Sequence, residues 1–276
     1  MSAEAAATAT LVTLRPTTAR RRPLVPRAVR KLIGPVLLLA IWTLASHLGW
    51  LTAEVLPSPT DIGEAFLDLV RSGELADALL LSLQRVGLGF AIGLTVGLCL
   101  AVISGLLALG EDLVDAPVQM VRTMPWSGLI PLLIIWFGIG EEPKVALVAL
   151  AVTFPIYVNT FGGIRNVDEG LVEAARTMRF GRWKLIRHVV LPGALPSGLV
   201  GLRYALGSAW LALVFAEQVN SQGGIGYLLT HAREVYRIDI IVVCLIIYAL
   251  LGLITDLIVR FLEKAWLAWR PTLRAN

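Results

Sequence analysis

The chain has 276 residues, of which 57% are hydrophobic and only 16% are charged. A soluble domain carries about 25% charged residues, so this composition excludes an ordinary soluble protein and indicates one that crosses a membrane several times. The net charge of +4 does not indicate a nucleic-acid partner, because the basic residues cluster beside long apolar runs.

The N-terminus is a basic, Ala- and Thr-rich segment that leads into an apolar run. A cleaved signal peptide is one alternative, but Ser46-His47-Leu48 is a poor cleavage site. We therefore expect a cytoplasmic tail at 1–31 and a retained first transmembrane helix at 32–50.

An acidic connector at 51–77 follows the first apolar run. Prolines, a serine and Asp61 at 57–61 are typical of a turn and a helix N-cap, which predicts an amphipathic helix at 61–71. The sequence leaves open whether this helix is a solvated connector or docks a partner.

Six apolar runs approach the roughly 20 residues that a spanning helix needs. Pro125 and Pro131 fall in the third run and predict a kinked or interrupted helix there. The predicted spans are 32–50, 79–107, 117–138, 145–163, 197–219 and 240–260.

The distribution of Lys and Arg predicts the orientation of the spans. Seven such residues precede the first span, six lie between the fourth and fifth, and four follow from Arg260, whereas the opposite connections carry four in all. Basic connections stay in the cytoplasm, so both termini are predicted to be cytoplasmic.

Gly89, Gly93 and Gly97 are spaced four residues apart in the second span. This spacing places them on one helix face and lets another helix approach closely. We interpret the three glycines as a packing surface.

Ionisable residues inside spans are candidates for function. Glu217, at the outer end of the fifth span, is consistent with a pore-mouth residue, although a structural ion pair or an interfacial anchor is the favoured alternative. The pore or gate candidates are Arg122, Trp126 and Glu217.

Enzyme signatures are missing from the sequence. A phosphate-binding loop needs Gly-Lys-Ser/Thr, and none of the four lysines is followed by Ser or Thr. If ATP drives this protein, another chain must bind the nucleotide. We expect no catalytic residue, metal or cofactor in this chain.

The basic loop, residues 164–196, separates the fourth and fifth spans. A short helix is predicted at 168–179, where Asp168 and Glu169 suit a helix N-terminus. The small Ala174 and Ala175 would let that helix sink into a cleft of a partner. Pro192 and Pro196 are predicted to break the chain before the fifth span. An ordinary basic connection is the alternative.

Several motifs resemble the nitrate/sulfonate/taurine permease group of ABC importers. The resemblance extends from about residue 35 to 270, and within the group it is strongest to the aliphatic sulfonate permeases. They include the Glu-Ala-Ala of the basic loop followed by Leu-Pro at the expected distance. The others are Leu56-Pro57-Ser58-Pro59, Ile130-Pro131-Leu132, Trp136-Phe137-Gly138-Ile139, Phe154-Pro155-Ile156-Tyr157, Gly163 to Asp168, Leu191 to Pro196 and Gly224-Ile225-Gly226-Tyr227.

The resemblance implies an all-α membrane protein of the bacterial plasma (inner) membrane. It would have the type I ABC importer fold, about six transmembrane helices and a cytoplasmic coupling (EAA) loop. The transmembrane domain would cover 78–262, with the coupling loop at 164–196 and a cytoplasmic tail at 263–276. The implied partners are a cytoplasmic ATPase dimer that uses ATP and Mg, a second and identical permease subunit, an extracytoplasmic binding protein and membrane lipid.

The resemblance also assigns the contact with the ATPase. The implied coupling residues are Glu173, Ala174, Ala175, Arg179, Gly181, Leu191 and Pro192. The family has Gly where Arg179 stands. Because Arg adopts a left-handed conformation at a cost, we expect the coupling helix to run past Arg179 and turn near Gly181.

The substrate implied is a small anion, with an aliphatic sulfonate favoured and taurine, nitrate or another small solute as alternatives. An ion-coupled secondary transporter would need a midmembrane ionisable relay and internal repeats, and neither is evident. An intramembrane enzyme would need a nucleophile and a base, which we do not find.

Overall fold

The computed structural model describes residues 27–52, 54–219, 221–267 and 269, with side chains described from residue 33 except at 108, 109, 126 and 127. All regular secondary structure in these ranges is helical. The tail predicted at 1–31 and the last residues lie almost wholly outside them.

The N-terminal unit, residues 1–50, contains one described helix, α1 (Arg27–His47). The helix covers most of the span predicted at 32–50 and ends at His47. Most of the large apolar side chains along it are exposed, among them Val36, Leu38 and Leu44. Such a surface suits a helix whose surroundings are apolar.

The second unit, residues 51–276, contains ten described α-helices and one π-helical segment, Ile186–Val190. The helices are α2 (Pro59–Ser72), α3 (Glu74–Leu106), α4 (Ala108–Arg122), α5 (Trp126–Phe137), α6 (Glu142–Arg165), α7 (Glu169–Thr177), α8 (Arg182–Leu185), α9 (Leu191–Gln218), α10 (Ile225–Glu234) and α11 (Ile238–Trp266).

Helix α2 confirms the predicted amphipathic helix. Ser58 caps it reciprocally: the Asp61 amide donates to Ser58 Oγ at 3.3 Å, and the Ser58 amide donates to Asp61 Oδ2 at 3.1 Å. This capping box satisfies amides that the first helical turn leaves free. One face of α2 is buried through Ile62, Ala65 and Leu69.

In the part of the chain that the structure describes, four helical stretches are long and apolar enough to cross a membrane. They are α3, α6, α11 and the 37 residues of Arg182–Gln218. The third predicted span, 117–138, is interrupted as expected: α4 ends at Arg122, and α5 begins at Trp126 after Pro125. Helix α4 begins at Ala108, nine residues before the predicted start of that span.

The three spaced glycines of α3 pack directly against α6. A Cβ on Gly89 would lie 2.7 Å from Val148 Cβ, one on Gly93 would lie 2.7 Å from Val152 Cβ, and one on Gly97 would lie 2.8 Å from a backbone oxygen of α6. Contacts this short leave no room for a side chain. The predicted packing surface is confirmed, and α3 and α6 run parallel.

Helix α9 does not begin after a break, so the prediction for Pro192 and Pro196 was wrong. The chain is continuously helical from Arg182 through Gln218, with the π-helical turn directly before α9. Pro192 cannot donate to the carbonyl four residues earlier, and the wider π turn accommodates that missing bond. Pro196 lies inside the helix.

Helix α9 runs antiparallel to α6 and to α11, and the core lies mainly between α6, α9, α5 and α3. Near one end, Arg203 of α9 pairs with Glu263 of α11 at 2.8 Å and with Asp256 at 3.4 Å.

We call the end that carries α7 and α8 the loop end, and the opposite end, where α9 finishes, the cluster end. The core is formed by Val86, Leu129, Ile130, Leu133, Leu147, Val148, Ala151, Val152, Ile156, Ala205, Ala209, Trp210, Ala212, Leu213 and Ala216.

Candidate functional site

A buried carboxylate, Glu217, organises the cluster end. It lies in the last turn of α9 with 1% of its surface exposed. Its Oε1 accepts hydrogen bonds from Arg85 Nη1 and Ser82 Oγ, both at 2.7 Å, and both donors belong to buried residues of α3. A buried charge is tolerated when it is paired and hydrogen-bonded in this way.

The N-terminus of α10 supplies further donors to this cluster. The Gly226 amide donates to Glu217 Oε2 at 2.8 Å, and the Ile225 amide donates to Ser82 Oγ at 2.9 Å. Free amides and the helix dipole favour a negative charge at that position. Gly224 has φ +108°, and a Cβ there would collide with Glu217 Oε1. The Gly-Ile-Gly motif therefore shapes the chain around the carboxylate, a role that its sequence alone does not reveal.

Arg85 joins Glu217 to a second carboxylate, Glu141, which lies just before α6. Its Nη2 donates to Glu141 Oε1 at 2.8 Å, its Nε donates to Glu141 Oε2, and its Nη1 also reaches the Gly223 carbonyl at 2.7 Å. Lys144 Nζ lies 3.0 Å from Glu141 Oε1. The hydrogen bonds from Arg85, with help from Lys144 and against partial burial, lower the pKa of Glu141 to about 2.

The cluster end is therefore internally satisfied. Arg85 uses Nε and both terminal nitrogens, and both oxygens of Glu217 accept hydrogen bonds from the chain itself. These bonds tie α3, α9 and α10 to the turn before α6. Of the three interpretations of Glu217, the structure supports the ion pair rather than an interfacial anchor or a residue at the mouth of a pore.

The basic loop at the opposite end carries an acidic residue, Glu173, that the chain does not enclose. Asp168 caps α7 by accepting from the Gly170 amide at 2.8 Å, and α7 confirms the helix predicted at 168–179, although it ends at Thr177. Glu173 and Ala174 are exposed. Among the described residues the carboxylate of Glu173 forms no ion pair.

Ala175 differs from its neighbour because it is buried, with 5% of its surface exposed. Its methyl group faces the interior of this chain and offers no surface to a partner. A large side chain there would disturb the loop itself, so the expectation that both alanines enter a partner's cleft is corrected to Ala174 alone.

The turn after α7 lies at Arg179, and the prediction of a turn near Gly181 was wrong. Arg179 has φ +57°. Its amide donates to the Arg176 carbonyl at 2.9 Å, and the Phe180 amide donates to the Ala175 carbonyl at 3.0 Å. These two bonds form a Schellman motif, which ends a helix with a left-handed residue. Arg179 thus takes the conformation that Gly adopts easily.

Gly181 has φ −67° and ψ 161°, an extended conformation open to any residue, and it precedes α8. Aromatic contacts stabilise the chain on either side of it. Lys184 Nζ lies 4.3 Å from the centre of the Phe180 ring, and His188 meets that ring edge-on at 6.5 Å between centroids. The two satisfied carbonyls and these contacts outweigh the cost of a left-handed Arg.

Three large apolar side chains that sequence reasoning missed project from the same loop. Leu171 is 58% exposed, Met178 is 71% exposed and Trp183 is 72% exposed. Their signal in the sequence is apolar residues that belong to neither a span nor a core periodicity. Exposed apolar groups beside an unpaired carboxylate are typical of an interaction surface.

Leu191 and Pro192 begin α9 and are both exposed at the edge of this loop. They follow the π-helical turn, so they stand on the same continuous helical stretch as the fifth span. A force applied at these residues would act directly on a membrane-spanning helix.

Arg122 lies at the end of α4, beside a cavity of about 290 Å³ between α4, α6 and α9. It is exposed, and among the described residues it forms no ion pair. Trp126 begins α5, but its side chain lies outside the described part of the structure. Glu217 lines no part of this cavity.

Comparison with known families decides what kind of protein this is. Residues 93–267 match the family of binding-protein-dependent transport system inner membrane components. The chain belongs to this family. It is a multi-pass membrane permease subunit of an ABC importer, and such subunits work with a binding protein and leave ATP hydrolysis to a separate chain.

Two relatives cover most of the chain. A protein of Escherichia coli (strain K12) named as an aliphatic sulfonates transport permease, SsuC, is 51% identical over 86% of this chain and 90% of its own. A protein of Bacillus subtilis (strain 168) with the same name is 42% identical over 88% of each chain.

A solved structure shows the same fold. A chain in the crystal structure of an amino acid ABC transporter with histidines aligns with a TM-score of 0.60, covering 72% of this chain and 98% of that one at 18% identity. The predicted all-α, type I importer architecture is therefore confirmed.

Proposed function

We propose that this permease imports aliphatic sulfonates, as the names of the two relatives state for those proteins. At 51% identity over 86% of the chain, the likeness covers the membrane helices and the basic loop alike. The anionic substrate would be delivered by the binding protein, and ATP with Mg would be used by the partner ATPase.

We infer that the loop end faces the cytoplasm and that the basic loop docks the ATPase. The basic residues concentrate in this loop and in the chain termini, and basic connections stay in the cytoplasm. The exposed Glu173, Ala174, Arg179, Leu191 and Pro192 supply the surface, with Leu171, Met178 and Trp183 as apolar anchors.

Two copies of this chain would form the membrane part of the importer. A single copy leaves Arg122 exposed along the membrane-spanning helices. A guanidinium facing lipid costs about 2.5–3.5 kcal/mol or more, so that face needs protein or water beside it. A second copy would supply both, by covering the face and enclosing an aqueous path.

The exposed surface of the basic loop is the observation that carries the importer mechanism, and a growth experiment tests the substrate. A strain lacking this gene should fail to grow with ethanesulfonate as its sulfur source and should grow normally on sulfate. A plasmid copy should restore growth. Normal growth of the deletion strain on ethanesulfonate with failure on taurine, or with loss of nitrate use in a parallel nitrogen test, would contradict the sulfonate assignment.

A further inference from the structure

The cavity beside Arg122 combines a cation, neutral polar groups and apolar walls at the middle of the membrane-spanning helices. Its polar residues are Arg122 of α4, Asn159 of α6, and Tyr204 and Ser208 of α9. Its apolar walls are Ala151, Phe154, Pro155 and Val158, all on α6.

The depth of this cavity follows from the helices that form it. Glu111, near the start of α4, pairs with Arg165 at the end of α6 at 3.2 Å and so marks the loop end. Arg122 lies eleven residues further along the chain, which corresponds to roughly 16 Å of helix. The α9 residues Tyr204 and Ser208 likewise lie near the centre of a 28-residue helix.

An arginine at this depth is unlike the buried arginine of the cluster end. Arg85 is matched by two carboxylates, whereas Arg122 has no acidic partner among the described residues and lines an open cavity. An ionisable side chain that is neither paired nor able to reach the membrane surface indicates an aqueous path for a solute.

The backbone around Arg122 supports the same interpretation. Helix α4 stops at this residue, and α5 starts only after Pro125, which provides no side-chain cap for the new helix. Transporters place their binding sites where spanning helices are interrupted near the middle of the bilayer. Irregular backbone at that depth is tolerated where it lines a cavity.

We propose that this cavity is a transient site for the substrate anion inside the permease, in which Arg122 holds the sulfonate group. This inference rests on the proposed function. The guanidinium can donate two parallel hydrogen bonds to an oxyanion. The Tyr204 and Ser208 hydroxyls can donate to the remaining oxygens. The Asn159 amide nitrogen donates one N–H to the Pro155 carbonyl at 2.9 Å, which leaves its second N–H for the anion. Phe154, Pro155 and Val158 suit a short aliphatic chain. The volume of about 290 Å³ is enough for a small organic anion.

The direct test is import of radiolabelled ethanesulfonate into proteoliposomes that hold the permease–ATPase complex, with binding protein outside and ATP inside. Arg122→Gln should lower ethanesulfonate imported per ATP hydrolysed by about 10- to 100-fold, the loss expected for a charged hydrogen bond. Arg122→Lys keeps the charge but loses the two parallel hydrogen bonds, so import should fall less than in Arg122→Gln. Arg71→Gln, at the end of α2, is the matched control and should import normally.

Import and membrane abundance, measured for the wild type and both Arg122 variants, distinguish a failure of this inference from a failure of the proposed function. If Arg122→Gln imports ethanesulfonate as well as the wild type does, the inference about Arg122 is overturned, but the proposed function is not. Equal loss of abundance and import in Arg122→Gln and Arg122→Lys would also overturn it, because it would show a structural role. Failure of the wild-type complex to import ethanesulfonate would overturn the proposed function itself.

A labelling experiment tests the site without relying on transport. The rates at Ser208→Cys are normalised to those at Ser72→Cys, an exposed position at the end of α2. Ser208→Cys should then react faster with a sulfonate-bearing methanethiosulfonate reagent than with a trimethylammonium one. Adding Arg122→Gln should abolish this preference for the anion. A preference that persists without the arginine, or no reaction at Ser208→Cys, would contradict an anion site on an aqueous path.

Discussion

Glu217, in the last turn of α9, and Glu173, in α7, are acidic residues at opposite ends of the second unit, and their surroundings are opposite too. Glu217 is buried, and its oxygens accept hydrogen bonds from Arg85, Ser82 and Gly226. Glu173 is exposed and has no ion-pair partner among the described residues. A carboxylate satisfied within its own chain stabilises the fold, whereas one left unsatisfied at the surface is available to another chain.

The strongest test of this contrast is Glu217→Ala. It leaves Arg85 buried with only the half-exposed Glu141 as an acidic partner, and breaking a buried ion pair costs about 3–5 kcal/mol. Membrane abundance and thermal stability in detergent should fall sharply. Glu234→Ala, at the exposed end of α10, should stay within about 0.5 kcal/mol of wild type. Wild-type stability of Glu217→Ala would break the comparison.

Gly93→Ala tests whether the cluster end also depends on the close packing of α3 against α6. The added Cβ would lie 2.7 Å from Val152 Cβ, and such overpacking costs about 1–3 kcal/mol. Gly87 provides a control in the same helix, because nothing lies within 4 Å of a Cβ placed there. Gly87→Ala should be neutral or slightly stabilising. Thermal stability in detergent measures both changes, and equal losses of stability in Gly93→Ala and Gly87→Ala would refute the packing account.

Arg179→Gly sharpens the description of the loop end. A left-handed non-glycine residue costs about 1–2 kcal/mol, and replacing Arg179 with Gly removes that cost. The greater flexibility of Gly in the unfolded chain offsets roughly 0.5–1 kcal/mol of this stabilisation. We therefore expect Arg179→Gly to stabilise the loop by about 1 kcal/mol or less, which slower proteolysis of the loop would reveal. Gly181→Ala should change little because Gly181 is extended. Destabilisation by Arg179→Gly would show that the Arg side chain stabilises the turn.

The smallest effect is expected at Glu141, on the rim of the cluster. Its side chain is 53% exposed, so Glu141→Gln should cost about 1 kcal/mol or less. The pKa of Glu141 is lowered from 4.5 to about 2, so its contribution is complete above pH 4.5 and is lost as pH falls toward 2. Stability measured against pH should therefore differ between wild type and Glu141→Gln above that window and converge below it.

Local patterns in the sequence predicted much of the fold. The four-residue spacing of the glycines in α3 predicted a close contact with another helix, which is α6, and Pro125 predicted the interruption between α4 and α5. The residues at 57–61 predicted a capped helix, although α2 begins at Pro59 and not at residue 61. In each case the cause lies within a few residues of the feature. The structure agrees because local geometry and packing favour the same arrangement.

The cluster end could not be predicted in the same way. Arg85 and Glu217 are 132 residues apart, and only the packing of α3 against α9 brings them together. At Arg179 a local preference gave the wrong turn, because two satisfied carbonyls and the Phe180 contacts outweighed the strain of one residue. At Pro192 a π-helical turn removed the conflict that would have ended the helix.

The central claim is that the exposed surface of the basic loop, and not the buried cluster, transmits the action of the ATPase. The direct measurement is ATPase co-purification and substrate-stimulated ATP hydrolysis for Glu173→Ala, Ala174→Trp, at equal membrane abundance. A desolvated charge pair is worth about 2–5 kcal/mol, so Glu173→Ala should weaken docking by about 30-fold or more. Ala174→Trp adds steric hindrance, and Glu169→Ala in the same helix is the control. The account predicts normal abundance with lost docking and coupling; full ATPase binding and coupled hydrolysis in the double variant would contradict it.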